Sequence, residues 1–191
     1  MQSLRMVMPP ELFAPAVFKH FEGDAAIPLI KAGPDLYDFA EPLVWQADVT
    51  NTGGALLVTG EVRGTARTSC ARCLQEFSFP VAGEIEGYYL TEPSNDAPDE
   101  MEEDEFEVLP DDRVIDFEPL ITAALLLEFP LVPLCDEGCK GLCPNCGADL
   151  NEGPCACDNP AEVKASDDAD AQPARENPFS VLKNLDFGSQ D

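Results

Sequence analysis

Eight cysteines and their spacing constrain this chain more than any other feature of it. Two stand in Cys70-Ala71-Arg72-Cys73; the other six, Cys135, Cys139, Cys143, Cys146, Cys155 and Cys157, fall within one 23-residue stretch. The first ten residues have no apolar core of an export signal, so the chain is expected to stay in the cytosol, where thiols are kept reduced. Closely spaced cysteines in that compartment serve as metal ligands more often than as disulfides. In Cys143-Pro144-Asn145-Cys146-Gly147 the proline fixes one turn residue, and the glycine permits a backbone that aims amides at sulfur. Cys155 and Cys157 then complete a closed four-thiolate site. This leaves Cys70 and Cys73 to join Cys135 and Cys139, giving two zinc ions. The alternative partition groups Cys135, Cys139, Cys143 and Cys146; the local grouping closes a shorter loop and is preferred. Iron–sulfur ligation is the chemical rival, although nothing in the spacing demands it.

Cys70 and Cys73 lie between two strand-like runs. Residues 45–50 lead through the turn Asn51-Thr52-Gly53-Gly54 into residues 55–67, where Leu57, Thr59, Glu61, Arg63, Thr65 and Arg67 take alternate positions. Residues 77–90 alternate again, with Phe77, Phe79, Val81 and Ile85 against small or polar neighbours. The spacing predicts an antiparallel meander, with the first cysteine pair in a hairpin turn. A redox Cys-x-x-Cys needs a helix N-terminus to depress one thiol's pKa, whereas a hairpin turn presents two thiolates side by side to a metal. Asp116 is a candidate cap for a helix over 116–129, with Pro119 tolerated in its first turn. Phe117, Leu120, Ile121, Ala124, Leu125, Leu126 and Leu127 make that helix apolar nearly all round, which predicts burial against the sheet.

Charge excludes one broad class. With 37 acidic and 11 basic residues the chain carries a net charge of −26, so it is not a uniformly basic nucleic-acid binder. Nine acids fall among the sixteen residues 92–107, which reads as a solvated loop. Residues 158–176 are too polar to form a core and read as a flexible linker. Beyond them Asn177-Pro178 offers a start for a short helix over 177–187, bearing Phe179, Val181, Leu182 and Leu185 on one face. His20, the one histidine, has no nucleophile motif beside it, and no glycine-rich phosphate loop occurs. Closed four-cysteine sites leave no position for a catalytic water, so hydrolytic zinc chemistry is not expected.

Several segments together resemble the bacterial YceD family, the large ribosomal RNA subunit accumulation proteins. They are Cys70-Ala71-Arg72-Cys73-Leu74, the segment from Glu128 to Pro133, the long run from Cys139 to Cys157, and the tail from Asn177 to Leu185. The likeness spans roughly residues 40–190, and the long cysteine run is its specific part. The resemblance implies a non-enzymatic factor needed for large-subunit ribosomal RNA to accumulate.

The expected fold is α+β: a mainly antiparallel β meander with one buried helix and a C-terminal zinc-ribbon-like module. Residues 1–134 form the β domain and residues 135–157 the cysteine-rich module. Arg63 and Arg67 share one strand face near Arg72, a candidate RNA-facing patch, although three charges supply little phosphate affinity against so acidic a background. The expected partner is therefore ribosomal RNA or, in preference, a basic large-subunit ribosomal protein. Two rivals stand beside this reading: a zinc-stapled acidic adaptor unrelated to ribosomes, and a thiol redox protein using Cys70 and Cys73.

Overall fold

The period-two alternation between residues 43 and 90 folds as three long antiparallel strands. The computed structural model describes residues 4–92 and 106–158. Its strands are β1 (Arg5–Val7), β2 (Phe18–Ala25), β3 (Leu29–Ala32), β4 (Asp35–Asp38), β5 (Leu43–Asn51), β6 (Ala55–Ser69), β7 (Glu76–Leu90), β8 (Glu107–Val108) and β9 (Val114–Asp116). One helix, α1 (Phe117–Glu128), follows β9 directly. The chain divides into two units, Met1–Cys155 and Ala156–Asp191; of the second, only a single 3-10 turn at Ala156–Asp158 is described. The acidic run within 92–107 lies mostly outside the described residues. The expected linker and terminal helix lie outside them apart from Asp158.

β6 organises the main sheet. Its fifteen residues pair with β7 along one edge, from Ala55 opposite Leu90 to Ser69 opposite Glu76. The other edge is shared: β5 pairs with its first half, and β4 meets it at Asp38 opposite Arg67. β2 extends the sheet beyond β5, β3 extends it beyond β4, and β8 adds in parallel at the end of β7. β1 and β9 form a separate two-stranded ladder. At the β5–β6 turn, Asn51 is buried because it is needed on both sides: its Nδ2 donates to the Leu12 carbonyl at 2.8 Å and its Oδ1 accepts from Gly53 N at 2.7 Å.

One sheet face is apolar and carries the core. Leu43, Trp45, Ala47 and Val49 of β5, Leu56, Val58, Val62 and Ala66 of β6, and Val81, Ile85 and Tyr89 of β7 are buried on it. α1 closes that face. Asp116 caps it as the sequence predicts, its carboxylate accepting from Glu118 N at 3.0 Å. Phe117 packs on Trp45 at 4.6 Å between ring centroids, and Ile121, Ala124 and Leu125 follow at helical spacing. The approach is close because β7 presents Gly83: a Cβ there would stand 2.6 Å from the Ala124 carbonyl oxygen.

The helix is buried on one side only. Leu126 and Leu127, 40% and 85% exposed, face away from the sheet, contrary to the expectation of an all-round buried helix. A single helix on a single sheet face has a partner for one stripe, and nothing among the described residues packs over the other. After α1, Phe129 stacks on Tyr37 at 3.9 Å, and the Tyr37 hydroxyl donates to the Pro130 carbonyl at 3.3 Å. These contacts turn the chain back toward the far end of the β6–β7 hairpin. No helix among the described residues is long and apolar enough to cross a membrane.

Candidate metal centres

The hairpin tip and the segment after α1 meet at cysteines. Cys70 N donates to the Gln75 carbonyl and Leu74 N to the Cys70 carbonyl, both at 2.9 Å, so residues 70–75 form a tight turn with Cys70 and Cys73 buried side by side. Ala71 N then donates to the Pro133 carbonyl at 2.8 Å, drawing the chain after α1 onto this turn. Asp136 folds the next residues back: its side chain accepts from Gly138 N at 2.8 Å and its carbonyl from Cys139 N at 3.0 Å.

The result is a sulfur cage. Cys70 Sγ lies 3.8 Å from Cys139 Sγ, and Cys73 Sγ lies 3.6 Å from Cys135 Sγ. All four sulfurs lie within 4.8 Å of one another. Four thiolates at about 2.3 Å from a tetrahedral zinc ion stand about 3.8 Å apart, so this spacing fits a metal and is far too wide for S–S bonds of about 2.05 Å. A second group, Cys143, Cys146, Cys155 and Cys157, satisfies the same 4.8 Å limit. The Cys143–Cys146 knuckle is held by Gly147 N donating to the Cys143 carbonyl and Cys143 N donating to the Ala148 carbonyl, each at 2.8 Å. Gly147 takes φ +73°, the left-handed conformation for which a glycine is favoured there. The eight sulfurs thus fall into the two sets of four that the shorter loop closure favours, and not into the alternative partition.

The thiols of the first cage are shifted in opposite directions. Burial opposes ionisation of Cys70, but backbone N–H groups of Cys135, Cys73 and Arg72 aim at its sulfur and bring its pKa down to about 6. The Arg72 N–H lies 3.4 Å from that sulfur. Cys135 goes the other way, pushed up to about 12 chiefly by the Cys73 thiol beside it and then by desolvation. Thiols this close do not all ionise unaided; a divalent ion removes the conflict and releases their protons. In the second group the N–H groups of Cys146 and Asn145 lower Cys143 to about 7. Cys70, Cys73, Cys139 and Cys143 are buried, Cys155 is half-buried, and Cys135, Cys146 and Cys157 are exposed.

Groups outside the cages orient them. Arg72 Nη1 donates to the Cys139 carbonyl at 2.8 Å, tying the hairpin turn to the facing segment. Asn151 Nδ2 lies 3.4 Å from Cys139 Sγ while Asn151 Oδ1 accepts from Lys140 N at 2.8 Å. Nothing in the sequence singles out Asn151, because an asparagine in a cysteine-rich segment carries no signal of which sulfur it meets. Of the three arginines of the expected RNA patch, Arg72 is thus engaged inside the metal region. Arg67 Nε reaches both carboxylate oxygens of Asp38 at 3.0 and 3.1 Å, and Arg63 pairs with Glu61. Arg63 also lines an open depression of about 850 Å³ whose other charged walls are Glu22, Asp24, Glu41 and Glu61. His20 is exposed and pairs across strands with Asp48 at 2.8 Å.

An antiparallel hairpin that carries cysteines at its tip, facing further cysteines that follow a sheet-bound helix, defines an α+β protein with two cysteine tetrads able to take metal. The family model described as large ribosomal RNA subunit accumulation protein YceD matches residues 58–186, which include both tetrads, and the chain belongs to the YceD family. It is 38% identical over 110 residues to an uncharacterised protein of Mycobacterium tuberculosis, covering 56% of this chain and 50% of that one. It is 24% identical over 155 residues to the chloroplastic large ribosomal RNA subunit accumulation protein YCED homolog 1 of Arabidopsis thaliana, covering 67% and 48%. Its likeness to the Zea mays protein of the same description is 27% over 143 residues, covering 61% and 48%. The chain spans about half the length of these curated relatives. No solved structure matches it.

Proposed function

We propose that this chain is a non-enzymatic, zinc-clasped factor of the cytoplasm that supports accumulation of large-subunit ribosomal RNA during subunit assembly. The observation that carries the reading is the family match across both tetrads. Zinc suits two closed sets of thiolates because it needs four ligands, no redox chemistry and no open position. In this reading residues 135–157 act as a zinc-ribbon-like module folded by its metal, standing on a mainly β domain over 1–134. Residues 158–176 link it to a terminal helix over 177–187.

The working contact is with a basic large-subunit ribosomal protein more than with bare RNA. A net charge of −26 repels phosphate, and Arg63, Arg67 and Arg72 would each have to leave an internal partner to reach RNA. The test is crosslinking of the tagged protein in cells, with identification of RNA and protein adducts, together with co-sedimentation. Migration with large-subunit precursors and adducts to a basic ribosomal protein are expected; absence from those particles would favour an adaptor unrelated to ribosomes. One observation favours a thiol redox role, the lowered pKa of Cys70. Rapid alkylation of Cys70 in the metal-loaded protein would support that role, and protection by the metal would oppose it.

A further inference from the structure

The outer edge of β7 is a long strand edge without a neighbour. Along residues 76–88, β7 pairs with β6 on one side, and no strand among the described residues pairs with the other. Which groups face that edge follows from its last residues. Leu109 N donates to the Leu90 carbonyl at 2.8 Å where β8 adds in parallel, so the even-numbered residues of β7 turn their main-chain groups away from β6. Pro80 agrees with this, since a proline inside a sheet sits where its missing N–H would face outward. Glu76, Ser78, Pro80, Ala82, Glu84 and Glu86 are all exposed. The edge therefore offers a row of free carbonyls and, except at Pro80, amides, and β8 occupies its far end in the same geometry.

The charge beside this row selects the occupant. Glu84 and Glu86 alternate along β7, and on the same face Arg63 and Arg67, opposite Ala82 and Ser78, are already paired with Glu61 and Asp38, so the two β7 carboxylates carry the unbalanced charge. Such carboxylates and Pro80 guard an edge against pairing with ordinary strands. A strand carrying lysine or arginine at every second position reverses the effect, because its side chains fall on the carboxylates while its backbone completes the ladder.

We propose that the β7 edge at residues 76–88 is the docking site for an extended, lysine- or arginine-rich segment of a protein partner, which binds by strand addition. The inference rests on the reading above that the partner is a basic protein, and it names the surface used. The test employs the full chain and three synthetic twelve-residue peptides: alternating lysine and valine, the same peptide with alternate amides N-methylated, and alternating glutamate and valine. The lysine peptide should bind and slow amide exchange at the even-numbered positions of β7. N-methylation, which removes ladder donors and keeps the charge, should weaken binding about tenfold or more, and the glutamate peptide should not bind. The double variant Glu84→Gln/Glu86→Gln should weaken binding similarly, as should Ala82→Pro, which removes an outward N–H as Pro80 already does. Equal binding of the methylated peptide, protection elsewhere on the protein, or no binding of the lysine peptide would overturn the proposal. The assay contains no ribosomal component, so its failure is distinct from a failure to co-sediment with precursor particles.

Discussion

Cys70 and Cys139 stand 69 positions apart in the chain, yet their sulfurs lie 3.8 Å from each other. The hairpin turn supplies one sulfur and the segment leaving α1 the other. A metal held between them therefore closes a loop that contains the whole of β7 and the helix. This is the reason for treating the first cage as a clasp between sheet and cysteine-rich segment, while the second is internal to the C-terminal cysteines.

That difference is measurable by substitution. Cys70→Ser should cost one of two metal equivalents and raise hydrogen exchange in the turn at residues 70–75. Cys143→Ser should also cost one equivalent but raise exchange in that turn less, since its flanks touch the turn only where Leu142 N donates to the Arg72 carbonyl at 3.2 Å and Gln75 Nε2 donates to Asp149 at 2.9 Å. Metal analysis combined with hydrogen-exchange mass spectrometry checks both, and equal disturbance of the turn by the two variants would contradict the separation.

Chelation should act on the same division. Trp45, the only tryptophan, lies in the core against Phe117 and away from both cages. Removing metal should raise hydrogen exchange over residues 135–155, whose folding energy comes from ligation, while Trp45 emission keeps its folded wavelength. A shift of Trp45 emission to that of the unfolded chain would show that the β core depends on metal as well.

The helix seat gives a packing prediction. Gly83→Ala places a Cβ 2.6 Å from a carbonyl oxygen of α1, which must move; a loss of about 1–3 kcal/mol is expected from urea unfolding. Gly87→Ala should cost less, because its Cβ would meet the movable side chain of Leu120 at 3.2 Å. Equal costs would mean that α1 does not rest on Gly83 as described.

These features were not equally legible beforehand. The β5–β6–β7 meander was readable because one buried face imposes alternation, and α1 because Asp116 is a capping residue followed by apolar groups at helical spacing. β2 was not, since an edge strand exposing Phe18, Lys19 and His20 together shows no alternation. The exposure of Leu127 was also hidden: periodicity describes a helix but does not say which stripe lacks a partner. Cysteine spacing and loop length pointed to the two tetrads. The engagement of Arg67 by Asp38 depends on β4 meeting β6 across 29 positions, which no local pattern records.

A pH dependence follows from His20. Its hydrogen bond to Asp48 raises its pKa above the ordinary 6.5, with Glu22 adding to the effect. The pair therefore stabilises the fold most below pH 6.5, and this contribution disappears as pH rises through the raised folded-state value. An NMR titration should give a His20 midpoint above 6.5 that falls in Asp48→Asn. Wild type should exceed that variant in urea resistance at pH 5.5 more than at pH 8, and the opposite order would contradict the pairing.

The most direct test of the central claim is the metal content of the purified full chain, measured by elemental analysis alongside native mass spectrometry. Two cages of four sulfurs predict close to two zinc ions per chain, with all eight thiols protected from alkylation until a chelator is added. A metal-free protein with freely reactive thiols, or a coloured protein containing iron, would contradict it.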